Sequence, residues 1–569
     1  MKKVIGILLS FSIILAQFMF VSASAGSLSF ENGFYLIDSA DDLYAFADLV
    51  NNGESSANAK LTRDIIINED VLNSDGDLNE GTYREWYPIG DKNTYARING
   101  VSYDGIFDGQ NYSIYGLYYS SIDDYSNDSA IGLFGTVNKG VVRNVNIKDS
   151  YIQGMYQIGS VCAILNSGSI IGCNSYATVK GSSNVAGICA YGDKEVVLIS
   201  RCNFYGKASA EGARVAGISA RLGFCTVEYC NNYGTITGTN SNVAGIIAGV
   251  GDYDYVSLIK GCSNYGNVYS NHTSYIYTGG ITSFATNTTI EDCLNAGRLS
   301  ATTGSFVCCG GIAGYGFGTI KNCLSVGEIK IANANDKNNI GGVFGSAANN
   351  TKYQTSFENN YFLDYIAEYG VQEFGTSSTI ISEEGFVEAV SELQLKDGTV
   401  RGLLNNNRTT SPWVQVIGAD NHPVIEIKPI YSVDALGGSI RVFDGGFRLG
   451  FSFNDLQGAE VQEYGFVYAY TQTDDLNISL VGTDGVKKKI ADNRIDWGDY
   501  ITYNLVFTGM PKSAYDTVVS ARAYVKVQGE YYYSPILQRS FNNVANAILE
   551  DSTVDQSTKD AINNLLKGV

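Results

Sequence analysis

Six cysteines stand in one column, Cys173, Cys202, Cys230, Cys262, Cys293 and Cys323, at spacings of 29, 28, 32, 31 and 30, and all eleven cysteines of the chain lie between Cys162 and Cys323. A secreted chain with this many cysteines invites a disulfide framework. A near-constant step instead predicts equivalent places on successive coils, within disulfide reach by Cα distance but with poorly aimed side chains. We therefore read the column as a buried ladder of reduced thiols behaving as small hydrophobes, with no histidines nearby to make it a metal ladder. Tyr176, Tyr205, Tyr233 and Tyr265 each follow a column cysteine by three residues. They predict a stacked stripe that stiffens the fold and needs no ligand. Facing outward, the same stripe would lay flat rings against sugars or a partner protein.

Other candidate chemistry is sparse. Asn73, Asp75, Asp77 and Asn79 set oxygen ligands at alternate positions, as part of a calcium loop does, and calcium is the one ion the sequence suggests. The distal bidentate acid is missing, so a plain solvated loop is the simpler reading. Glycoside hydrolysis needs two carboxylates at a set separation. The acids of the repeats, Asp149, Glu195, Glu228, Asp292 and Glu328, share no column. His422, before Pro423, reads as a packing residue. No catalytic residue and no cofactor are assigned.

The elements that hold these columns come from a repeat. A phrase of aliphatic, small, Gly, aliphatic recurs as AIGLFG at Ala130, IGSVCA at Ile158, VAGICA at Val185, VAGISA at Val215 and VAGIIA at Val243, then TGGITS at Thr278, CGGIAG at Cys309 and IGGVFG at Ile340. Its third position is Gly132, Ser160, Gly187, Gly217, Gly245, Gly280, Gly311 and Gly342, with a mean step of 30 residues, and the next position is always aliphatic. A second phrase leads with Val142, Ile170, Ile199, Val227, Ile259, Ile290, Ile320 and Phe357. Short β-prone phrases bury nothing alone, but stacked as coils about 4.8 Å apart they form internal ladders. A side chain in the glycine column would strike the wall, and Ser160 is the small exception. Gly pairs and β-branched residues argue against a helical solenoid.

An open solenoid needs covers. Ser39 to Asn52 predicts an amphipathic helix with Ser39 as N-cap, Asp42 at the capping-box position and Leu43, Phe46, Ala47 and Val50 on one face. At the far end, Glu383 to Asn405 has helical spacing and leads into Pro412-Trp413 and His422-Pro423-Val424. From about Tyr431 the pattern changes to alternation, as in SIRVFDGGFRLGFSF and VVSARAYVKVQGEYYYSPIL, which predicts an antiparallel sandwich before a helical tail.

The phrases resemble the GLUG motif, a Gly-Leu-x-Gly repeat of extracellular bacterial proteins, with Ile replacing Leu in most copies. The entry FYLIDSADDLYAFADLVNNG, then LTRDIIIN, WYPIG and YDGIFDGQNYSIYGLYY, is also similar to how such proteins begin. The resemblance spans about Phe34 to Val424 and implies a right-handed parallel β-helix. Some members cleave immunoglobulin A through a separate zinc domain with an H-E-x-x-H helix. With only His272 and His422, this chain cannot carry that activity over.

The expected class is thus all-β: a right-handed parallel β-helix with an N-terminal helical cap, an antiparallel β-sandwich and a short helical tail. The expected divisions are a signal peptide at 1–25, cap and first coils at 26–129, repeats at 130–362, a closing segment at 363–430, the sandwich at 431–543 and the tail at 544–569. Lys2, Lys3, the apolar run to Val21 and Ala23-Ser24-Ala25 carry the signal-peptide reading. Secretion follows, with any attachment to a cell non-covalent and no membrane-spanning segment in the mature chain. A net charge of −20 argues against nucleic acid and anionic lipid. The expected function is a non-catalytic, monomeric, adhesin-like binding or scaffold protein that meets an extracellular glycan or protein. The alternative is a polysaccharide lyase or hydrolase with its site in the insertions Asn68 to Arg84 or Gly251 to Val256.

Overall fold

The computed structural model describes residues 28–567 except 32, 91–99, 123–127, 193–194, 240–241, 272–274, 303–305, 333–338, 349–353, 374–385, 407, 409–410, 427–430, 456–460, 484, 497–499, 528 and 552–553. The signal-peptide segment and His272 lie outside the described residues. Two compact units divide the chain, residues 1–428 and 429–569.

The first unit is a parallel β-solenoid. From Ile158 on its register follows the repeat phrases one for one, and in the first copy the second residue takes that place. Ile131 bridges Ile158, and Ile158 pairs with Val185, Val185 with Val215, Val215 with Val243, Val243 with Thr278, Thr278 with Cys309 and Cys309 with Ile340. The second phrase stacks in the same way, from Val142 on Ile170 through Ile199, Val227, Ile259, Ile290 and Ile320 to Phe357. Ile188 and Ile218 are fully buried on adjacent coils, and Cys189 N donates to the Ile218 carbonyl at 2.9 Å. Burying each such side chain contributes roughly 1.5–3 kcal/mol.

The coils run through three sheets, one of 23 strands, one of 8 and one of 11. The last exceeds the eight phrases because the entry and closing segments add coils of their own, from Ile65–Ile66 to Val387–Val390. One corner turns through a left-handed residue in every coil: Asn144, Gly172, Arg201, Tyr229, Gly261, Asp292, Asn322 and Asn359 have φ between 53° and 63°. The glycine column is forced by close approach. A Cβ on Gly217 would stand 2.5 Å from the Gly245 carbonyl oxygen of the next coil. Ser160 fits because its hydroxyl lies 2.8 Å from Ser175 Oγ and within reach of the Gly187 carbonyl.

The entry helix, α1 (Ala40–Asn51), has Ser39 accepting from Asp42 N at 3.2 Å, while the Asp42 carboxylate accepts from Ser39 Oγ and from Asp38 N. Its buried face, Leu43, Phe46, Ala47 and Val50, covers the first coils, with Phe46 against Tyr103 and Phe107.

The closing segment differs from the single helix expected over 383–405. Val387–Val390 is a strand that pairs in parallel with Asn360–Leu363, because its alternation prolongs the ladder. Two short helices follow, α2 (Glu392–Lys396) and α3 (Thr399–Asn405), separated by Gly398 at φ 89°. Trp413–Val414 then pairs antiparallel with Val424–Ile425. This segment also folds back along the flank. Asn359 Nδ2 donates to the Leu403 carbonyl at 3.0 Å, and Arg408 and Trp413 both bond Asp292.

The second unit holds two antiparallel sheets. One orders Tyr431–Arg441, Gly446–Asp455, Tyr500–Phe507 and Arg494–Asp496; the other orders Lys487–Ile490, Val461–Ala469, Val519–Val527 and Glu530–Tyr533, with Leu537–Arg539 also on Val519–Val527. Phe447, Leu449, Phe451 and Phe453 alternate inward against Phe466, Tyr503 and Val525. Helices α4 (Phe541–Glu550) and α5 (Gln556–Lys567) end the chain, Phe541 and Ile562 joining that core.

Candidate functional site

The tyrosine stripe faces outward. Tyr176 and Tyr205 stack at 4.6 Å and 8°, Tyr205 and Tyr233 at 4.9 Å and 4°, and Tyr233 and Tyr265 at 5.1 Å and 6°. Tyr176, Tyr205 and Tyr233 keep 42%, 39% and 45% of their surface exposed, and Tyr265 is half-buried. This geometry removes one expected use. Each inner ring has both faces covered by its neighbours, so a sugar cannot lie flat on it; the stripe presents ring edges and a row of phenol hydroxyls. Burial among the rings pushes the Tyr205 and Tyr265 hydroxyls up, and it pushes Tyr233, helped by Tyr265 and Tyr205, up to about 12.

The column is longer than its tyrosines. Lys148 and Tyr115 precede Tyr176 in register. The Lys148 ammonium lies 5.6 Å from the Tyr115 ring centre and 5.8 Å from that of Tyr176, so a cation fills the place of one ring. Spacing by residue type could not find it, because the type changes while the position does not. Beside the stripe runs an amide ladder in which Asn174 donates to Asn146, Asn203 to Asn174 and Asn231 to Asn203, at 2.8–2.9 Å.

The Asn68 to Arg84 insertion lies against this flank. The Asp149 carboxylate accepts from Val71 N and Leu72 N, Thr178 Oγ1 donates to the Gly76 carbonyl, and Lys207 pairs with Asp77 at 3.2 Å. Three of the four suggested calcium ligands have protein partners, and Asp75 is exposed. Asn73 Oδ1 accepts from Asp75 N and Asp77 N, Asp77 holds Lys207, and Asn79 Nδ2 donates to the Asp70 carbonyl. Among the described residues no three His, Cys, Asp or Glu side chains gather as a metal site. A cleft of about 230 Å³ opens at the Tyr115 end, lined by Ile66, Asn68, Glu69, Asp70, Tyr115 and Asp149.

All eleven cysteines are free and buried. The column thiols donate within their own coil, Cys173 to the Ile171 carbonyl, Cys202 to Ser200, Cys230 to Glu228, Cys262 to Lys260, Cys293 to Glu291 and Cys323 to Lys321, and at 3.6–3.8 Å also reach carbonyls of the preceding coil. Away from the column, burial pushes the Cys225 and Cys309 thiols up to about 12. Four of the five scattered acids have separate partners, Asp149 on the insertion backbone, Glu228 on Ser200, Asp292 on Arg408 and Glu328 on Arg298, and Glu195 is exposed. His422 Nδ1 sits 2.8 Å from the Pro423 carbonyl oxygen. No helix among the described residues is long and apolar enough to cross a membrane.

On another face of the solenoid, the Gly251 to Val256 insertion carries Tyr253 and Tyr255, 64% and 58% exposed. Tyr255 stacks on Phe224 at 5.0 Å, and Tyr253 lies 6.2 Å from Phe317.

No family model matches the chain, and no curated protein does. Among solved structures, "a putative immunoglobulin A1 protease from Bacteroides ovatus" is similar at 14% identity and a TM-score of 0.35, over 69% of this chain and 92% of that one. At that overlap the likeness does not bear on what this chain does.

Proposed function

We propose that this chain is a secreted, non-catalytic binding or scaffold protein, adhesin-like, that meets an extracellular glycan or protein through the solenoid flanks and the sandwich. The observation that supports this reading is the run Tyr115, Lys148, Tyr176, Tyr205, Tyr233 and Tyr265, whose middle three tyrosines are exposed. It sets hydroxyls and one ammonium at coil spacing along an outer surface, a pattern suited to contact with a repetitive partner. The resemblance to GLUG proteins points the same way, and so does the leader-like start of the sequence.

The test is a screen of the purified mature chain on a glycan array and on host matrix proteins, alongside Tyr205→Ser/Tyr233→Ser. Binding that falls in the variant supports the reading. Reproducible turnover of a polysaccharide, with or without calcium, overturns it in favour of the lyase or hydrolase alternative.

A further inference from the structure

The face that carries the Gly251 to Val256 insertion holds two arginines without counter-ions among the described residues. Arg214 and Arg221 belong to one coil, both half-buried, and neither pairs with a carboxylate among the described residues. They are close enough that the Arg221 charge, after burial itself, weakens the hold of Arg214 on its proton. Two like charges side by side, partly desolvated, cost stability. Nothing in a chain of net charge −20 makes carboxylates scarce. That neither arginine has one among the described residues fits a site that leaves its anion to be supplied from outside.

The neighbouring coils shape the place. In register, Tyr191 precedes Arg221, and Gly249, Phe284 and Tyr315 follow it. The Arg221 guanidinium lies 6.0 Å from the Tyr191 ring centre. Gly249 leaves a notch one coil wide, into which Arg214 leans: a Cβ on Gly249 would stand 2.9 Å from Arg214 Nε. Beyond the notch Tyr277, Phe284 and Tyr315 cluster, with ring centres 5.0–5.8 Å apart. The insertion leaves the chain directly after the Gly249 coil, and its Tyr255 leans back on Phe224 of the arginine coil.

We propose that this notch binds an acidic oligosaccharide, its carboxylates on Arg214 and Arg221 and its sugar rings against the aromatic side chains of the insertion and the neighbouring coils. Guanidinium forks match carboxylates in two-point geometry, and exposed aromatic rings beside them suit a sugar rather than a purely ionic partner. The inference rests on the binding reading above and names its ligand class.

The experiment is calorimetric titration of the full mature chain at low salt with hexagalacturonate, with the same hexamer fully methyl-esterified, and with hexaglutamate. The expected result is binding of hexagalacturonate and at least tenfold weaker binding of both other probes. Arg214→Gln/Arg221→Gln should weaken the first at least tenfold with Tm unchanged or raised, since like charges are removed. Tyr255→Ala should weaken it several-fold, and Arg298→Gln, whose arginine pairs with Glu328, should not. Equal binding of the esterified hexamer, equal binding of hexaglutamate, or indifference to the double variant overturns the proposal. If hexagalacturonate does not bind while array or matrix binding persists, this inference falls and the broader reading stands.

Discussion

Asp292, fully buried in the solenoid wall, holds Arg408 of the closing segment through two nitrogen–oxygen contacts at 2.7 and 3.1 Å, across 116 residues of chain. Trp413 Nε1 donates to the same carboxylate at 3.1 Å. The cover therefore grips the side of the coils as well as their end. Arg408→Met leaves a buried carboxylate without its cation and should cost about 3 kcal/mol by urea unfolding. Asp292→Asn in the same chain should recover part of that loss, since Asn tolerates the left-handed corner. An unchanged midpoint in the single variant would show that the grip is not structural.

The two kinds of glycine should respond oppositely to alanine. Gly217→Ala drives a methyl into the backbone of the next coil and should destabilise the solenoid by about 2 kcal/mol or more. Gly402 lies inside α3 with nothing within 4 Å of the added carbon, so Gly402→Ala should stabilise by roughly 0.5–1 kcal/mol. Thermal unfolding of both variants checks the pair.

Alkaline titration should report the stack. The Tyr233 phenol is held protonated to about 12 by burial, against an ordinary value near 10. Its contribution to stability is complete below about pH 10 and is lost as pH rises toward 12, because the folded state keeps a proton that the unfolded chain releases. Tyr233→Phe should remove that part of the pH dependence. Phenolate absorbance at 295 nm with and without the substitution reads it, and identical curves would contradict the stacked arrangement.

Thiol chemistry tests the ladder. With eleven buried, free cysteines, a disulfide-exchange reagent should find no fast thiol in the native chain, and all eleven after denaturation without reductant. A shortfall would mean that coils are cross-linked.

The sequence made the coil plan legible because a ladder demands like chemistry at like positions. The Val142 to Phe357 column stays apolar and the Gly132 to Gly342 column stays small, so their stacking is legible in the sequence. Positions that repeat a conformation instead of a residue type were hidden. The left-handed corner passes through Asn144, Arg201, Tyr229 and Asp292, four unrelated side chains sharing one φ. Lys148 was missed in the aromatic column for the same reason. The direction of the tyrosines stayed open because an internal and an external stack share one spacing. The Arg214 and Gly249 notch needs two coils in hand, and the Asp292 grip needs the closing segment folded back; neither leaves a local pattern.

The account rests on coils stacked in register, and a spin-label distance tests that most directly. Lys180, Ser209, Thr237, Tyr269, Ser300 and Lys330 follow one another through five parallel pairings. Labels at Lys180→Cys and Lys330→Cys should therefore stand about 24 Å apart in a narrow distribution, at about 4.8 Å per coil. A distance well beyond 40 Å, or a broad spread without a maximum near the first value, would contradict it.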